Sequence, residues 1–206
     1  MITVNSGVPK PTTRTSRNRV LRMALKMFCE SGYQAVSLRK LAMEIGIQAG
    51  SLYNHIENKQ ALLFELIEKY ETGLAQVLGK ATTRNYVHYE LEDFIRRYIM
   101  FIQRQRFRCR LSKSEFRFLS PAQQDEIRLV RAKVSTQLET IIGRGINNGW
   151  FENVPIAATA NRILSMLNEV ATWHATDYQL SQAEVVNMHI RFAKGYLMAP
   201  QVALSR

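Results

Sequence analysis

The sequence predicts an all-α fold of about nine helices, and the spacing of its apolar residues is the main reason. Over most of the 206 residues, apolar side chains recur at intervals of three and four, which places them on one face of a helix. No window alternates with period two and none is a β-branched run between turn pairs, so we expect no strand. The composition, 46% hydrophobic and 22% charged, is typical of a folded globular protein rather than a disordered one.

The first three helices are expected to follow closely on one another. Residues 1–16 hold prolines, threonines and serines with two basic residues, and we expect them to form a flexible basic arm. From Arg17 an apolar stripe forms the first helix. Ser37 caps a short second helix that stops at Gly46, and a third helix is expected over residues 50–56.

Later helices are indicated by apolar stripes and by capping residues. The expected helices cover residues 58–80, 90–104, 121–148, 155–175 and 181–197. A capping box, in which a Ser hydroxyl and a Glu or Gln three positions on satisfy each other's free amides, predicts where a helix begins. Three pairs have this spacing: Ser112 with Glu115, Ser120 with Gln123, and Ser181 with Glu184.

The charge of the chain indicates a polyanionic partner. Its 28 Lys and Arg against 17 Asp and Glu give a net charge of +11. Such an excess attracts nucleic acid, an anionic membrane surface or a phosphorylated ligand alike, so the charge alone does not choose among them.

Other features limit the class of protein. Cys29 and Cys109 lie far apart, without a Cys-x-x-Cys pair or clustered histidines, so we expect no disulfide framework, metal site or cofactor. Residues 1–16 lack the apolar segment of a signal peptide, and no run approaches the roughly 20 apolar residues that span a bilayer. We therefore expect a reduced, cytoplasmic protein without a membrane partner.

A helix-turn-helix is predicted between Ser37 and Ile56. Ala42 is small enough for close helix approach, and Gly46 can take the positive φ that the turn needs. In the segment that follows, Leu52 and Ile56 face inward and leave polar side chains outward, of the size that reads base edges in a DNA groove. These side chains belong to Ser51, Asn54 and His55. The alternative is a compact three-helix unit whose polar surface has no such role.

A series of motifs between residues 17 and 66 has a recognisable order and spacing. The motifs are Ala24-Leu25-x-x-Phe28, Gly32-Tyr33, Ser37-Leu38-x-x-Leu41-Ala42, Ile45-Gly46, Gly50-x-Leu52-Tyr53-x-His55-Ile56 and Asn58-Lys59. Through them this segment resembles the DNA-binding domain of the tetracycline-repressor (TetR) family. The resemblance implies a DNA-binding domain over residues 17–60 after the arm, and a helical effector-binding and dimerisation domain over residues 61–206.

The resemblance also implies roles for individual residues. Ser37 and Tyr53 would hold phosphates, while Gln48, Ser51 and Asn54 would lie in or beside the major groove. The complete implied set of DNA contacts is Arg17, Ser37, Gln48, Ala49, Gly50, Ser51, Tyr53, Asn54, His55 and Lys59.

Three positions depart from the family pattern. Gln48 stands where Ser or Thr is usual, Ala49 where a basic residue or Pro is frequent, and Ile56 where Phe is usual. The operator sequence is therefore open, although DNA binding is still expected.

In the C-terminal part the resemblance implies a homodimer and a small-molecule effector. The helices from Pro155 and from Ser181 are largely apolar and suit a four-helix dimer interface. The alternative is that they only close the core of the monomer. Polar and aromatic residues in the apolar region are candidate effector contacts: Phe94, Tyr98, Phe101, Phe116, Arg117, Arg162, Met166, Asn168 and Trp173.

The effector suggested by these residues is an acyl-CoA thioester. Glu115-x-Arg117 and the segment from Ile163 to Trp173 resemble the TetR regulators that respond to acyl-CoA in fatty-acid and steroid catabolism. A basic cluster would either receive CoA phosphates or form a solvated loop. It consists of Arg104, Arg106, Arg108, Arg110 and Lys113.

Taken together, these features predict a non-enzymatic, ligand-responsive repressor of transcription. A helical di-iron enzyme needs Glu-x-x-His pairs, and no histidine here has a Glu three positions before it. Gly143-x-Gly145 lacks the preceding strand of a nucleotide-binding fingerprint. A sequence-indifferent, architectural DNA-binding protein without an effector is the remaining alternative.

Overall fold

The computed structural model describes residues 13–79, 86–172 and 180–198, without the side chains of residues 13–16. The described residues form nine α-helices and one 3-10 helix and no strand, which confirms the predicted all-α class. The helices are α1 (Thr13–Ser31), α2 (Leu38–Ile45), α3 (Ala49–Leu52), α4 (Lys59–Leu78), α5 (Val87–Arg104), α6 (Arg106–Ser114), a 3-10 turn (Phe116–Phe118), α7 (Pro121–Asn147), α8 (Ile156–Glu169) and α9 (Gln182–Leu197). The chain divides into two compact units, Met1–Leu66 and Ile67–Arg206.

The first unit is built on the apolar stripes of four helices. Its buried residues are Val20, Leu21, Ala24, Met27, Phe28, Val36, Leu41, Ala42, Ile45, Leu52, Ile56, Leu62, Leu63 and Leu66. Gly32 and Gly46, each just beyond a helix, have φ values of 80° and 76°. Because only glycine adopts such values without a steric penalty, these two residues fix where α1 and α2 end.

The second unit is centred on α5. Leu91, Ile95, Ile99 and Ile102 of this helix are fully buried, and α5 packs against α7, α8 and α9. These helices contribute Val134, Leu138, Ile142, Ala160, Ile163, Leu167, Val186, Ile190 and Leu197 to the same core. None of the helices in the described ranges is long and apolar enough to cross a membrane.

Several predicted boundaries differ from the observed ones. The first helix begins at Thr13 and so includes the end of the predicted arm. The third is four residues, Ala49–Leu52, and a turn replaces its expected second half. The helix expected over residues 155–175 ends at Glu169 and is followed by a turn, and Ala175 lies outside the described residues.

The capping box predicted at Ser112 is wrong. Ser112 lies inside α6 and is buried, and Glu115 is the residue at the end of that helix. The apolar side chains of Cys109 and Leu111 bury α6 against its neighbours, so the helix begins well before Ser112. The basic cluster from Arg104 to Lys113 is accordingly helical rather than a loop.

Candidate nucleic-acid interface and ligand cavity

Ser37 lies at the start of α2, where it caps the helix. Its hydroxyl oxygen accepts a hydrogen bond of 3.1 Å from the backbone N–H of Lys40, and the residue is exposed. A capping serine of this kind satisfies one free amide of the helix and keeps a donor available for a phosphate oxygen.

The turn between the two helices is held by Gly46. The N–H of Ile47 donates to the carbonyl of Ala42 at 3.0 Å, and the N–H of Gly46 donates to the carbonyl of Met43 at 3.0 Å. This pair of bonds is typical of a helix end with a residue in the left-handed region. It directs the chain out of α2 and straight into the recognition segment, residues 48–56.

The recognition segment is anchored by Leu52, which is fully buried, and Ile56, which is 7% exposed. Its outward residues include five that the sequence analysis assigned to DNA binding: Gln48, Gly50, Ser51, Tyr53 and Asn54. Gln48 occupies the N-cap of α3 without making a side-chain cap bond, so its amide is available for another partner. Ala49 and His55 are half-buried at the edges of this surface.

Two basic residues predicted to contact DNA are engaged within the first unit. Both guanidinium Nη atoms of Arg17 donate to the Glu65 carboxylate, at 2.6 and 2.8 Å, and its Nε donates to the carbonyl of His55 at 3.2 Å. The Nζ of Lys59 donates to the carbonyl of Gln34 at 3.3 Å. Arg17 thereby ties the end of the recognition segment to α1.

Lys59 is further held by an aromatic ring. Its Nζ lies 4.2 Å from the centre of the Tyr33 ring, within the range of a cation–π contact. Burial lowers the pKa of Lys59 and raises that of the Tyr33 phenol. The exposed cations nearest to Ser37 in the sequence are Arg39 and Lys40, which the sequence analysis did not assign.

The second unit contains a cavity of about 690 Å³, within the usual size range of small-molecule sites. Two of the predicted effector residues line it: Tyr98, whose hydroxyl donates to the Asn168 side-chain oxygen at 3.0 Å, and Asn168 itself. Leu74, Val134 and Leu164 provide apolar walls. The cavity is therefore mixed in polarity, with a fixed hydrogen-bonded pair on one side.

Three buried side chains that line the cavity are neutral. Burial raises the pKa of Tyr70, of Tyr98 and of the Cys109 thiol, so all three groups stay protonated at neutral pH. The Tyr70 hydroxyl is buried without an oxygen or nitrogen partner among the described residues, and the neighbouring Cys109 thiol is a weak substitute.

The other predicted effector residues are not among those that line the cavity, although Phe116 lies over the lining residue Arg131. Phe94 packs beside Tyr98, with ring centres 6.0 Å apart, and Phe101 beside Tyr70 at 5.6 Å. Arg117 is exposed and stacks on Phe118, and Trp173 lies outside the described residues.

Arg162 and Met166 face a separate surface groove between α8 and α9. Phe192 and Tyr196 form its other side. They are 62% and 59% exposed, and they line the same groove, so they form a patch of two neighbouring aromatic side chains. Arg162 and Met166 are thus on a different surface from Tyr98 and Asn168.

The wall of the cavity contains a buried polar network that was not predicted from the sequence. Glu71 accepts a hydrogen bond from the Ser112 hydroxyl at 2.5 Å and pairs with Arg131 at 2.7 Å. The sequence held a signal for it, because Glu71 lies four residues after Ile67 on an apolar face, and Arg131 lies four after Ile127. Charged residues within apolar stripes indicate a buried ion pair, but not which two residues form it.

Comparisons with known proteins agree with this architecture. Residues 20–66 match a family described as bacterial regulatory proteins, tetR family, and residues 89–197 match the tetracyclin repressor-like C-terminal domain. YerO of Bacillus subtilis (strain 168), an uncharacterized HTH-type transcriptional regulator, is 27% identical over 89 residues, which cover 38% of this chain and 31% of YerO. The chain thus matches about a third of the length of that curated relative.

Two solved structures have the same fold. A TetR-family regulatory protein from Rhodococcus RHA1 superimposes with a TM-score of 0.84 at 21% identity, covering 90% of this chain and 98% of the other. AibR, solved in complex with isovaleryl coenzyme A and operator DNA, gives a TM-score of 0.74 at 20% identity, covering 86% and 97%. Because the family matches extend over both units, the chain belongs to the TetR family of bacterial regulatory proteins.

Proposed function

We propose that this protein is a ligand-responsive, DNA-binding transcription regulator, and specifically a repressor that a small effector releases from its operator. The observation that carries the proposal is the recognition segment, which is anchored by buried Leu52 and Ile56 and exposes a row of polar side chains. Membership of a family of bacterial regulators supports this reading over an architectural protein or an enzyme.

In this proposal the exposed residues divide into two kinds of DNA contact. Hydroxyl groups of Ser37 and Tyr53 donate to phosphate oxygens, which position the domain on the duplex. Gln48, Ser51 and Asn54 reach base edges in the major groove, where an amide can pair bidentately with adenine. Ala49, Gly50 and His55 border that surface, and Arg17 and Lys59 hold the domain together beside the backbone.

The regulator acts as a homodimer through α8 and α9. Phe192 and Tyr196 of α9 are large and exposed beside Met166 of α8, and the Thr159 hydroxyl at the same groove is buried without a partner among the described residues. An isologous interface between two copies covers such a face. To fit successive major grooves, the two recognition segments must lie about one helical turn of DNA, 34–36 Å, apart or a close multiple of it.

The effector binds in the cavity of each subunit, and its class is an acyl-CoA thioester. The mixed lining suits a ligand with an apolar acyl chain and polar groups, and Lys113 and Arg128 lie at the same cavity. AibR, which shares the fold, is complexed with isovaleryl coenzyme A.

Release follows if the effector prefers a dimer spacing that no longer fits successive major grooves. An effector shifts that equilibrium only through its different affinity for the two states. DNA must then weaken effector binding by the same factor by which the effector weakens DNA binding.

The test begins with selection of bound sequences from a random pool of double-stranded DNA. The selected operator is then titrated with the full-length protein in the presence of a series of acyl-CoAs, including isovaleryl-CoA. We expect one operator to be preferred at least 1,000-fold over random DNA, as is typical of specific binders, and to be released by at least one acyl-CoA. Equal affinity for all sequences would leave the architectural alternative, and equal effector affinity with and without operator would exclude the release mechanism.

A further inference from the structure

The cavity wall holds one carboxylate that is shared by three donors. The Glu71 side chain of α4 is 8% exposed, and its Oε1 accepts hydrogen bonds from the Ser112 hydroxyl at 2.5 Å and from Nε and Nη2 of Arg131 at 2.9 and 2.7 Å. A buried carboxylate without a cation is costly, so Arg131 neutralises Glu71 and fixes it to α6 and α7.

The guanidinium of Arg131 is held in place by hydrogen bonds, but these do not use all of its N–H donors. Its Nη2 also donates to the Ser112 carbonyl at 3.2 Å and to its hydroxyl at 2.9 Å, and the Phe116 ring lies 4.5 Å from its central carbon. No described residue accepts a hydrogen bond from Nη1, and Arg131 lines the cavity with its side chain 38% exposed. Donor capacity therefore remains on a cation that is already held in position.

The other cations at the cavity have partners of their own. Lys113 donates to Glu169 at 2.8 Å, and Arg128 donates to Asp125 at 2.6 Å. Both pairs are largely exposed, so water screens them and they contribute little to a bound ligand. The Arg131 side chain is 38% exposed, close to the 41% of Lys113, but its partner Glu71 is buried and several hydrogen bonds hold its guanidinium in place. A planar guanidinium also suits carboxylate and phosphate oxygens.

We infer that Arg131 binds an anionic oxygen group of the effector, carboxylate or phosphate, and that Glu71 weakens this binding by competing for the same guanidinium. The inference rests on the proposed effector cavity and specifies the ligand as an amphipathic anion. Its apolar part contacts Leu74, Val134 and Leu164, which line the same space.

Glu71 and Arg131 then have opposite effects on the affinity for an anionic effector. Replacing Glu71 by Gln keeps an acceptor for Ser112 but removes a negative charge a few ångströms from the ligand anion. At an effective dielectric constant near 20 this repulsion is large enough to change affinity roughly tenfold. Replacing Arg131 alone would leave Glu71 buried without its cation, so Arg131 is tested in the double variant with Glu71→Gln.

The experiment measures dissociation constants by calorimetry with the full-length protein and two pairs of probes. Octanoate is compared with neutral octanamide, and isovaleryl-CoA with neutral isovaleryl-pantetheine, so that carboxylate and phosphate are distinguished. The proteins are the unchanged chain, Glu71→Gln, the double variant with Arg131→Gln, and Lys133→Gln as a control. Lys133 is an exposed residue of the same helix that does not line the cavity. Thermal unfolding checks that each variant is folded.

We expect Glu71→Gln to bind at least one charged probe roughly tenfold more tightly, and the double variant to lose that gain. The dissociation constants of the neutral probes, and of all probes with Lys133→Gln, change by less than about threefold. Equal binding of the charged probes by Glu71→Gln and the double variant overturns the inference. If the neutral probes change as much as the charged ones, the inference is overturned while the effector cavity stands. Absence of binding by every probe overturns both.

Discussion

At the scale of single residues, the recognition segment presents two kinds of polar group to DNA, a tyrosine hydroxyl and side-chain amides. Tyr53 carries a hydroxyl, and Gln48 and Asn54 carry amides, all on exposed positions. A hydroxyl bound to a phosphate contacts every DNA sequence alike, whereas an amide can read a base edge. The proposed roles therefore predict that neighbouring substitutions have different effects on affinity and on specificity.

We expect Tyr53→Phe to weaken binding to operator and to random DNA by a similar factor, roughly threefold to tenfold, since one phosphate contact is lost. Asn54→Ala should weaken operator binding by roughly 5- to 100-fold and leave random DNA nearly unchanged. Competition binding at one fixed salt concentration measures both effects. A specificity loss with Tyr53→Phe, or none with Asn54→Ala, contradicts the assignment.

Two basic residues that were predicted to contact DNA, Arg17 and Lys59, make contacts within the first unit instead of being free. Arg17 was expected to contact DNA, but its guanidinium makes a two-pronged pair with Glu65 and also bonds the His55 carbonyl. Lys59 lies against Tyr33 and the Gln34 carbonyl. Both residues lie beside the recognition segment, and their DNA contacts stay a prediction.

At the scale of the helices, capping chemistry was a good predictor where the apolar pattern agreed with it. The capping boxes at Ser120 and Ser181 are confirmed, each with both reciprocal hydrogen bonds. The one at Ser112 failed because α6 had already begun at Arg106. Within α6 the Ser112 hydroxyl donates to Glu71 instead of accepting from an amide.

The end of α7 offers a sharp test of packing, because two glycines two residues apart have different surroundings. A Cβ on Gly145 would lie 2.0 Å from the Phe151 ring, whereas one on Gly143 would lie 3.6 Å from Ile156, an ordinary contact. We expect Gly145→Ala to lower the free energy of unfolding by roughly 2–3 kcal/mol, since the buried ring must move. Gly143→Ala should raise it by up to about 1 kcal/mol.

Urea unfolding at one protein concentration measures this difference in free energy. The slope of the transition should be unchanged in both variants, so that the midpoint reports stability alone. Equal stability of the two alanine variants would contradict the close packing of Phe151 on Gly145.

At the scale of the whole molecule, family membership confirms the resemblance seen in residues 17–66 and extends it to the second unit. The C-terminal match is informative because the sequence motifs there were few. The family is one of regulators and not of enzymes, in agreement with the prediction of a non-enzymatic protein. The identity of the effector stays a proposal.

The proposed dimer is tested by two charge insertions at exposed apolar residues. Phe192→Glu places a carboxylate in the α8–α9 face and should yield a monomer, because an interface depleted of charge does not accept one. Leu129→Glu on α7, where Leu129 is 66% exposed, should leave the dimer intact. Analytical ultracentrifugation measures the mass of each variant.

Operator binding should follow the oligomeric state. The Phe192→Glu monomer is expected to lose at least 100-fold in operator affinity, because two linked half-sites bind far more tightly than one. A monomeric Leu129→Glu, or a dimeric Phe192→Glu, would place the interface elsewhere.

The sequence by itself determined the all-α class, the position of the helix-turn-helix and most helix starts. These features depend on local properties, namely helical spacing, capping side chains and a glycine at the turn. It also identified Tyr98 and Asn168 among the candidate effector residues, because polar groups in an apolar region are conspicuous.

Only the tertiary structure decided which polar groups meet. Glu71 and Ser112 are 41 positions apart, and Glu71 and Arg131 are 60 apart. The Ser112 hydroxyl and the Arg131 guanidinium nevertheless both donate to the same oxygen of Glu71. The rotation and register of packed helices bring them together, and those depend on the shapes of many side chains at once. The same packing placed Arg162 on a surface groove and Tyr98 in the cavity, a separation that no local pattern in the sequence encodes.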